Sequence, residues 1–367
     1  MKNKQYLLVE PVAKTPYPPL GLMKIASMLK HRQRGCEVFH SVGNAIPPAL
    51  SEPSIIYITS LFTWDADKVV DSILYYKRKF PKSRVRVGGI AASLIPNYIY
   101  SKAGIKPHVG LLKSAESYAP DYSMTFGRKL KSSISFTSRG CIRKCQFCNV
   151  NTLEPEFFIK NDWERDISAE LPAITFWDNN WLASPNFEPD CEKLIEIGKK
   201  VDFNQGIDAR LFDDEKAKLL SGVQLDPVRF AFDNIAYEES IVKAINLAKK
   251  YFKSEIRVYV LYNFKDTPDD FYHRINLLNK EKVLAFPMEY REPTERIKKR
   301  PGHHWDLYLL RALKLSLLFY YRKGMITEKR SSFEEIYGNN PIEFKKKLYD
   351  IYRYDKKLRR KKGGCDA

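Results

Sequence analysis

Thr137-Ser-Arg-Gly-Cys141-Ile-Arg-Lys-Cys145-Gln-Phe-Cys148-Asn149 places three cysteines on one short loop in a C-x3-C-x2-C spacing. Three thiolates on a cluster of four irons leave one iron open, and an open iron can accept a bidentate amino and carboxylate ligand. The same trio could instead be most of a structural zinc site, which normally has four ligands. The remaining cysteines, Cys36, Cys191 and Cys365, are single and far apart in sequence and offer no convincing fourth ligand. A disulfide scaffold is the poorest reading, because a 367-residue chain with six unevenly spaced cysteines is not of the small secreted kind.

Length leaves room for two domains, or one large domain with extensions, and 44% hydrophobic residues can fill their cores. The N-terminus, Met1-Lys-Asn-Lys-Gln-Tyr-Leu-Leu-Val-Glu10, has an apolar run too short for a signal-peptide core. Nowhere do the roughly eighteen apolar residues of a membrane span run together. The expectation is a cytoplasmic protein. Lys and Arg number 62 against 44 Asp and Glu, and the formal net charge of +18 raises an anionic partner such as RNA. Basic blocks at Arg296–Arg300 and Asp355–Lys362 hold part of the excess. A solvated helix face or frayed tail is the plain reading of such blocks, and contact with phosphates the functional one.

Strands and helices alternate around these features. In residues 1–115 strands are expected at 5–9, 36–40, 54–59, 84–88 and about 108–112, with helices at 20–29 and 64–79. Alternating βα units of this kind build a doubly wound parallel α/β sheet. Residues 116–132 read as a linker. A second series fills 133–295, with strands at 134–136, 173–177, 201–203, 228–232, 256–262 and 283–287, and helices around 186–199, 213–221, 236–252 and 267–280. Six such units suffice for a partial (β/α)6 barrel. Residues 296–367 are expected to form a helical extension, at 305–319 and 341–360, ending in a basic tail, with the first helix capping the barrel.

The cysteine spacing, with Phe147 just before the last cysteine, closely resembles the radical SAM family. In that family the open iron of a [4Fe-4S] cluster holds the methionine end of S-adenosylmethionine. One electron, from a flavodoxin- or ferredoxin-like donor, then splits the sulfonium to a 5'-deoxyadenosyl radical that abstracts hydrogen from substrate. The resemblance spans about residues 5–290 and implies Cys141, Cys145 and Cys148 as cluster ligands and the partial barrel as the fold. At the end of the second barrel strand, Phe176-Trp-Asp178-Asn179-Asn180 stands where many relatives carry Gly-Gly-Glu, which makes Asp178 and Asn179 candidates to bind S-adenosylmethionine. A helix N-cap is the structural reading of the same residues. Gln205, Asp208 and Arg210 after the third strand and Asp233 after the fourth are further candidates for this ligand, against their ordinary use as turn formers. Glu289 and Tyr290, after the sixth, are candidates to face substrate.

The loops of the first series, Pro18-Pro19-Leu-Gly21, Thr59-Ser60-Leu-Phe-Thr63 and Gly88-Gly89-Ile-Ala-Ala-Ser93, resemble the cobalamin-binding domain that precedes the radical SAM domain in one large subgroup. That resemblance implies Ser60, Thr63, Gly88 and Gly89 as cobalamin contacts and methyl transfer to an unactivated carbon, or a ring rearrangement, as the chemistry. The D-x-H-x2-G motif that ligates cobalt is missing after the first strand, and His40-Ser-Val-Gly43 is half of it after the second. Gly-Gly after a strand is also ordinary turn chemistry. His303-His304 precede a helix, and adjacent histidines point to different faces, so capping or packing is expected of them. The competing class is a non-catalytic nucleic-acid-binding protein with a structural metal and a basic C-terminus.

Overall fold

The computed structural model describes residues 4–13, 15–294, 301–321, 325–326 and 330–362; the block Arg296–Arg300 and Cys365 lie outside them. The chain forms two compact units that divide between Asn179 and Asn180, with the C-terminal helices in the second.

The first unit opens with a parallel sheet of order β2-β1-β3-β4, made by β1 (Gln5–Glu10), β2 (Glu37–Val42), β3 (Ile55–Thr59) and β4 (Arg84–Gly88). Side chains alternate along each strand, so both faces are apolar and both are covered. Leu7, Val9, Ile56 and Ile58 pack with Val69 and Ile73 of α2 (Ala66–Lys79), whereas Tyr6, Leu8 and Tyr57 pack with Leu22, Met23 and Ile25 of α1 (Leu20–Arg32). This is the doubly wound arrangement, with one strand fewer than expected. At 108–112 no strand forms: Pro107 has no N–H, His108 N–H donates once to the Val87 carbonyl at 2.8 Å, and Gly110 turns the chain away at φ +76°. Short helices α3 (Ile90–Leu94), α4 (Pro96–Ala103) and α5 (Lys113–Glu116) complete this part.

Residues 116–132, expected as a linker, pack instead against the sheet. Met124 and Phe126 are buried in the α1 side of the core. Arg128 grips Glu10 at the end of β1 with two bonds of 2.6 and 2.7 Å, and its Nε donates to the Thr15 carbonyl. Beyond this clamp come β5 (Ser133–Ser135), β6 (Ser138–Arg139), α6 (Val150–Leu153), β7 (Phe158–Ile159) and β8 (Ala173–Phe176). β5 pairs with β8 in parallel, and β6 with β7 antiparallel.

The second unit alternates α7 (Phe187–Ile197), β9 (Lys200–Phe203), α8 (Asp214–Leu220), β10 (Val228–Ala231), α9 (Glu238–Tyr251), β11 (Ile256–Tyr262), α10 (Pro268–Lys280) and β12 (Leu284–Glu289). β10, β11 and β12 form a parallel sheet, and β9 approaches through a parallel bridge from Val201 to Leu225. Of the six strands expected for the barrel, two thus belong to the first unit and four to the second. The end of the chain is helical, with α11 (Leu307–Tyr320), α12 (Arg330–Tyr337) and α13 (Pro341–Lys362), of which α12 was not foreseen. α11, expected to cap the barrel, buries Leu309, Leu310, Leu313 and Leu317. It lies along α13 through Tyr308 on Tyr352 and Arg311 on Asp355, and leaves Leu318 and Phe319 exposed. No helix among the described residues is long and apolar enough to cross a membrane.

Glu10 and Arg128 are 7% and 10% exposed, so removing one strands the other in the interior. Arg128→Met should lower unfolding free energy by about 3 kcal/mol, read from the urea midpoint, and adding Glu10→Leu should restore most of the loss. Equal stability of Arg128→Met and wild type would show that the clamp does not hold the segment.

Candidate metal centre

The cysteine loop leaves the sheet at the end of β5, and two carboxylates fix its departure. Asp178, just beyond β8, is 3% exposed and receives four donors. The N–H and hydroxyl of Thr137 and the N–H and hydroxyl of Ser138 all donate to it at 2.6–3.0 Å. Burial pushes its carboxyl up, against the pull of those bonds. Glu154, the residue after α6, takes the Gly140 N–H at 2.8 Å, Arg139 Nη2 at 2.7 Å and Asn179 Nδ2 at 3.2 Å. At Gly140 the backbone is left-handed, at φ +76°, and a Cβ there would fall 2.2 Å from the Glu156 carbonyl oxygen. Only glycine fits so close an approach. β6 and β7 pair across this neck, so residues 140–157 form a loop tied at its base.

Cys141, Cys145 and Cys148 lie half-buried within that loop, and no described cysteine is in a disulfide. The Cys148 N–H donates to the Cys145 carbonyl, and the Arg143 N–H donates to Cys141 Sγ at 3.3 Å. Hydrogen bonds to ligand sulfurs tune the potential of a cluster. Among the described residues no three His, Cys, Asp or Glu side chains gather as the ligand set of a single metal ion. A four-iron cluster takes each thiolate on a different iron. The donor set, three accessible thiols on one tied loop, fits such a cluster.

The expected cobalamin contacts have another occupation. Ser60 N–H donates to the Gly88 carbonyl, Ala91 N–H donates to the Ser60 carbonyl, and a Cβ at Gly89 would sit 2.5 Å from Ser60 O. The two loops thus close on one another, and Gly89, at φ +108°, serves that contact. Thr63 is buried at the start of the turn that leads into α2. Ser60 Oγ is buried without a hydrogen-bond partner. His40 packs at a tilt against Phe126, and burial lowers its pKa. The Glu10–Arg128 clamp closes the end of β1, and none of these contacts supports a cobalamin there.

Asp178 and Asn179 belong with the cysteines in the first unit, and both are bound to the loop rather than presented to a ligand. The other candidates lie in the second unit. Asp208 is held by Arg210, with Nε at 2.7 Å and Nη2 at 2.9 Å, and by Asn180 Nδ2 at 3.1 Å. Arg210 lies over the Tyr237 ring, and Gln205 is exposed in the preceding turn. Asp233 sits near Arg274, whose guanidinium is fully buried and donates to Asp266 and to the Phe232 carbonyl. Glu289 is taken by Arg291 and Lys314, and Tyr290 packs its ring on Phe264. His303 and His304 are exposed, and the cap of α11 is Asp306, whose Oδ1 accepts from Leu309 N–H. Asp306 is the better cap because its short carboxylate reaches the free N–H groups of the first turn.

Two residues that hold these sites escaped the sequence reading. Glu154 has a trace, since it lies six residues after the last cysteine of the run. Arg274 has none, because an arginine inside an amphipathic helix reads as solvent-facing.

No protein-family model and no curated protein matches the chain. Among solved structures it is similar to coproporphyrinogen III oxidase from Escherichia coli, a radical SAM enzyme, at 11% identity and a TM-score of 0.33. The match covers 45% of this chain and 46% of that one, under half of either, and the functional reading rests on the residues instead.

Asp233 gives a pH test of the second unit. Burial pushes its carboxyl up to about 6, with Arg274 pulling the other way. The folded state therefore holds a proton that the unfolded chain releases near pH 4, and stability should fall as pH rises from about 4 to about 6, then level off. Asp233→Asn should flatten that fall and be more stable at pH 7 by about 1–2 kcal/mol. A wild-type melting profile indistinguishable from that of Asp233→Asn across this range would refute the shift.

Proposed function

We propose that the protein is a radical SAM enzyme whose cluster is held by Cys141, Cys145 and Cys148. The observation that carries this reading is the C-x3-C-x2-C run on a loop leaving a parallel strand, tied at its base by the buried Asp178 and the half-buried Glu154. When bound, a [4Fe-4S] cluster supplies reductive cleavage of S-adenosylmethionine, with the electron from a flavodoxin- or ferredoxin-like donor and hydrogen abstraction from substrate as the outcome. The chain's own part is to bind and orient. Asp178 and Glu154 fix the backbone ahead of Cys141, and the Arg143 N–H donates to its sulfur. Methyl transfer forms no part of this proposal, since no contact of the N-terminal sheet supports cobalamin.

Anaerobically reconstituted wild type should bind iron and sulfide and, with a reductant, release 5'-deoxyadenosine from S-adenosylmethionine. Cys145→Ala should lose both while keeping its melting temperature. Zinc in place of iron, or cleavage retained by Cys145→Ala, would overturn the reading.

We further propose an anionic, nucleic-acid partner on the second unit. α13 exposes Lys346, Arg353, Lys356 and Lys357 with Tyr349 and Tyr354 among them, a combination of phosphate contacts and stacking surfaces. Binding of a single-stranded RNA oligonucleotide should weaken steeply with salt, and changing the four basic residues to Gln should make the log–log slope shallower by about 3. An unchanged slope would remove α13 from the interface.

A further inference from the structure

Glu154 is half-buried, and its carboxylate joins three parts of the chain at the base of the cysteine loop. One oxygen takes Arg139 Nη2 at 2.7 Å; the other takes the Gly140 N–H at 2.8 Å and Asn179 Nδ2 at 3.2 Å. Gly140 immediately precedes Cys141, Glu154 closes the helix that follows Cys148, and Asn179 stands at the end of β8. Arg139 is itself confined, with its guanidinium 3.8 Å above the Phe136 ring and its side chain 8% exposed. The backbone leaves no slack here, since Gly140 already abuts the Glu156 carbonyl.

We infer that Glu154 is a positioning residue that sets the Cys141 end of the loop before any cluster enters, so that retention of the cluster depends on this carboxylate. The inference rests on the cluster reading above and adds a residue to it that ligates nothing. A charged acceptor shared by a backbone N–H and a buried guanidinium is strong, and its loss frees the neck on the side where the first thiol emerges. Partners that orient metal ligands typically contribute roughly 10–100-fold to affinity. Glu156, exposed two residues further on, is the natural control, because its change to glutamine removes the same charge from the same segment.

The test compares the full-length wild type, Glu154→Gln and Glu156→Gln. In the chains without iron, hydrogen exchange at the Gly140 amide should quicken in Glu154→Gln alone. After anaerobic reconstitution, iron should pass to a chelator about tenfold faster from Glu154→Gln than from wild type, with Glu156→Gln unchanged. Glu154→Asp, which keeps the charge but shortens the reach, should recover only part of the difference, where a role of charge alone would recover all of it. Equal iron loss from Glu154→Gln and wild type overturns the inference and leaves the cluster reading standing. A wild type that takes up no iron overturns the cluster reading, and this inference with it.

Discussion

The site depends on the burial of one carboxylate. A carboxylate removed from water is costly unless hydrogen bonds replace its hydration, and Asp178 receives them from two consecutive residues, backbone and side chain alike. Thr137 and Ser138 are the last residues before the loop narrows, so the bonds that offset burial also dictate where the chain turns out of β5. The cysteines come three residues later. A residue whose chemistry invites a catalytic role is thus spent on architecture, with its acceptor capacity turned toward the backbone.

Much of the fold was legible in sequence because its cause is local. Runs such as Gln5–Glu10 and Ile55–Thr59 are apolar on both faces, and that pattern needs helices on either side. The cysteine run was legible because ligand chemistry demands spacing. What escaped depends on partners far away in the chain. Residues 116–132 look polar and loosely patterned, yet Arg128 finds Glu10 across 118 positions. The candidate at 108–112 had the residues of a strand but not the donors, with Pro107 at its start and Gly110 in the left-handed region. Asp178 was singled out as a contact for S-adenosylmethionine, whereas its carboxylate is turned to hydroxyls 40 and 41 residues earlier, and no spacing rule encodes that.

Buried charge extends the same logic through the first unit. Lys24, on α1, is 1% exposed and reaches Glu116 at 3.3 Å and Asp166 at 3.6 Å; Lys160, just after β7, also binds Asp166. Ser135 of β5 donates to the same carboxylate. Such contacts add little net stability over apolar packing, but they are unforgiving of displacement, since a shift that separates them leaves charges unpaired in the interior. They lock the N-terminal sheet, the end of β5 and the segment after the cysteine loop into one arrangement. That is why the compact unit runs through to Asn179 instead of ending where composition changes near residue 115.

This arrangement gives the N-terminal sheet a structural purpose. The carboxyl end of a doubly wound sheet is where small residues ordinarily leave room for a ligand. Here the residues beyond those strands are used to receive protein. Arg128 closes the end of β1, Ser60 and Gly89 close on each other, and a Cβ at Gly110 would come within 3.7 Å of the Leu153 carbonyl on α6, the helix that follows Cys148. A loop that must hold reactive thiols near solvent has little core of its own, and α6 has no buried residue. It takes its rigidity from what it rests on. The N-terminal sheet supplies that support on one side and the two carboxylates at the neck supply it on the other, so the same glycines that suggest a cofactor fold are explained by the close approach of chain to chain.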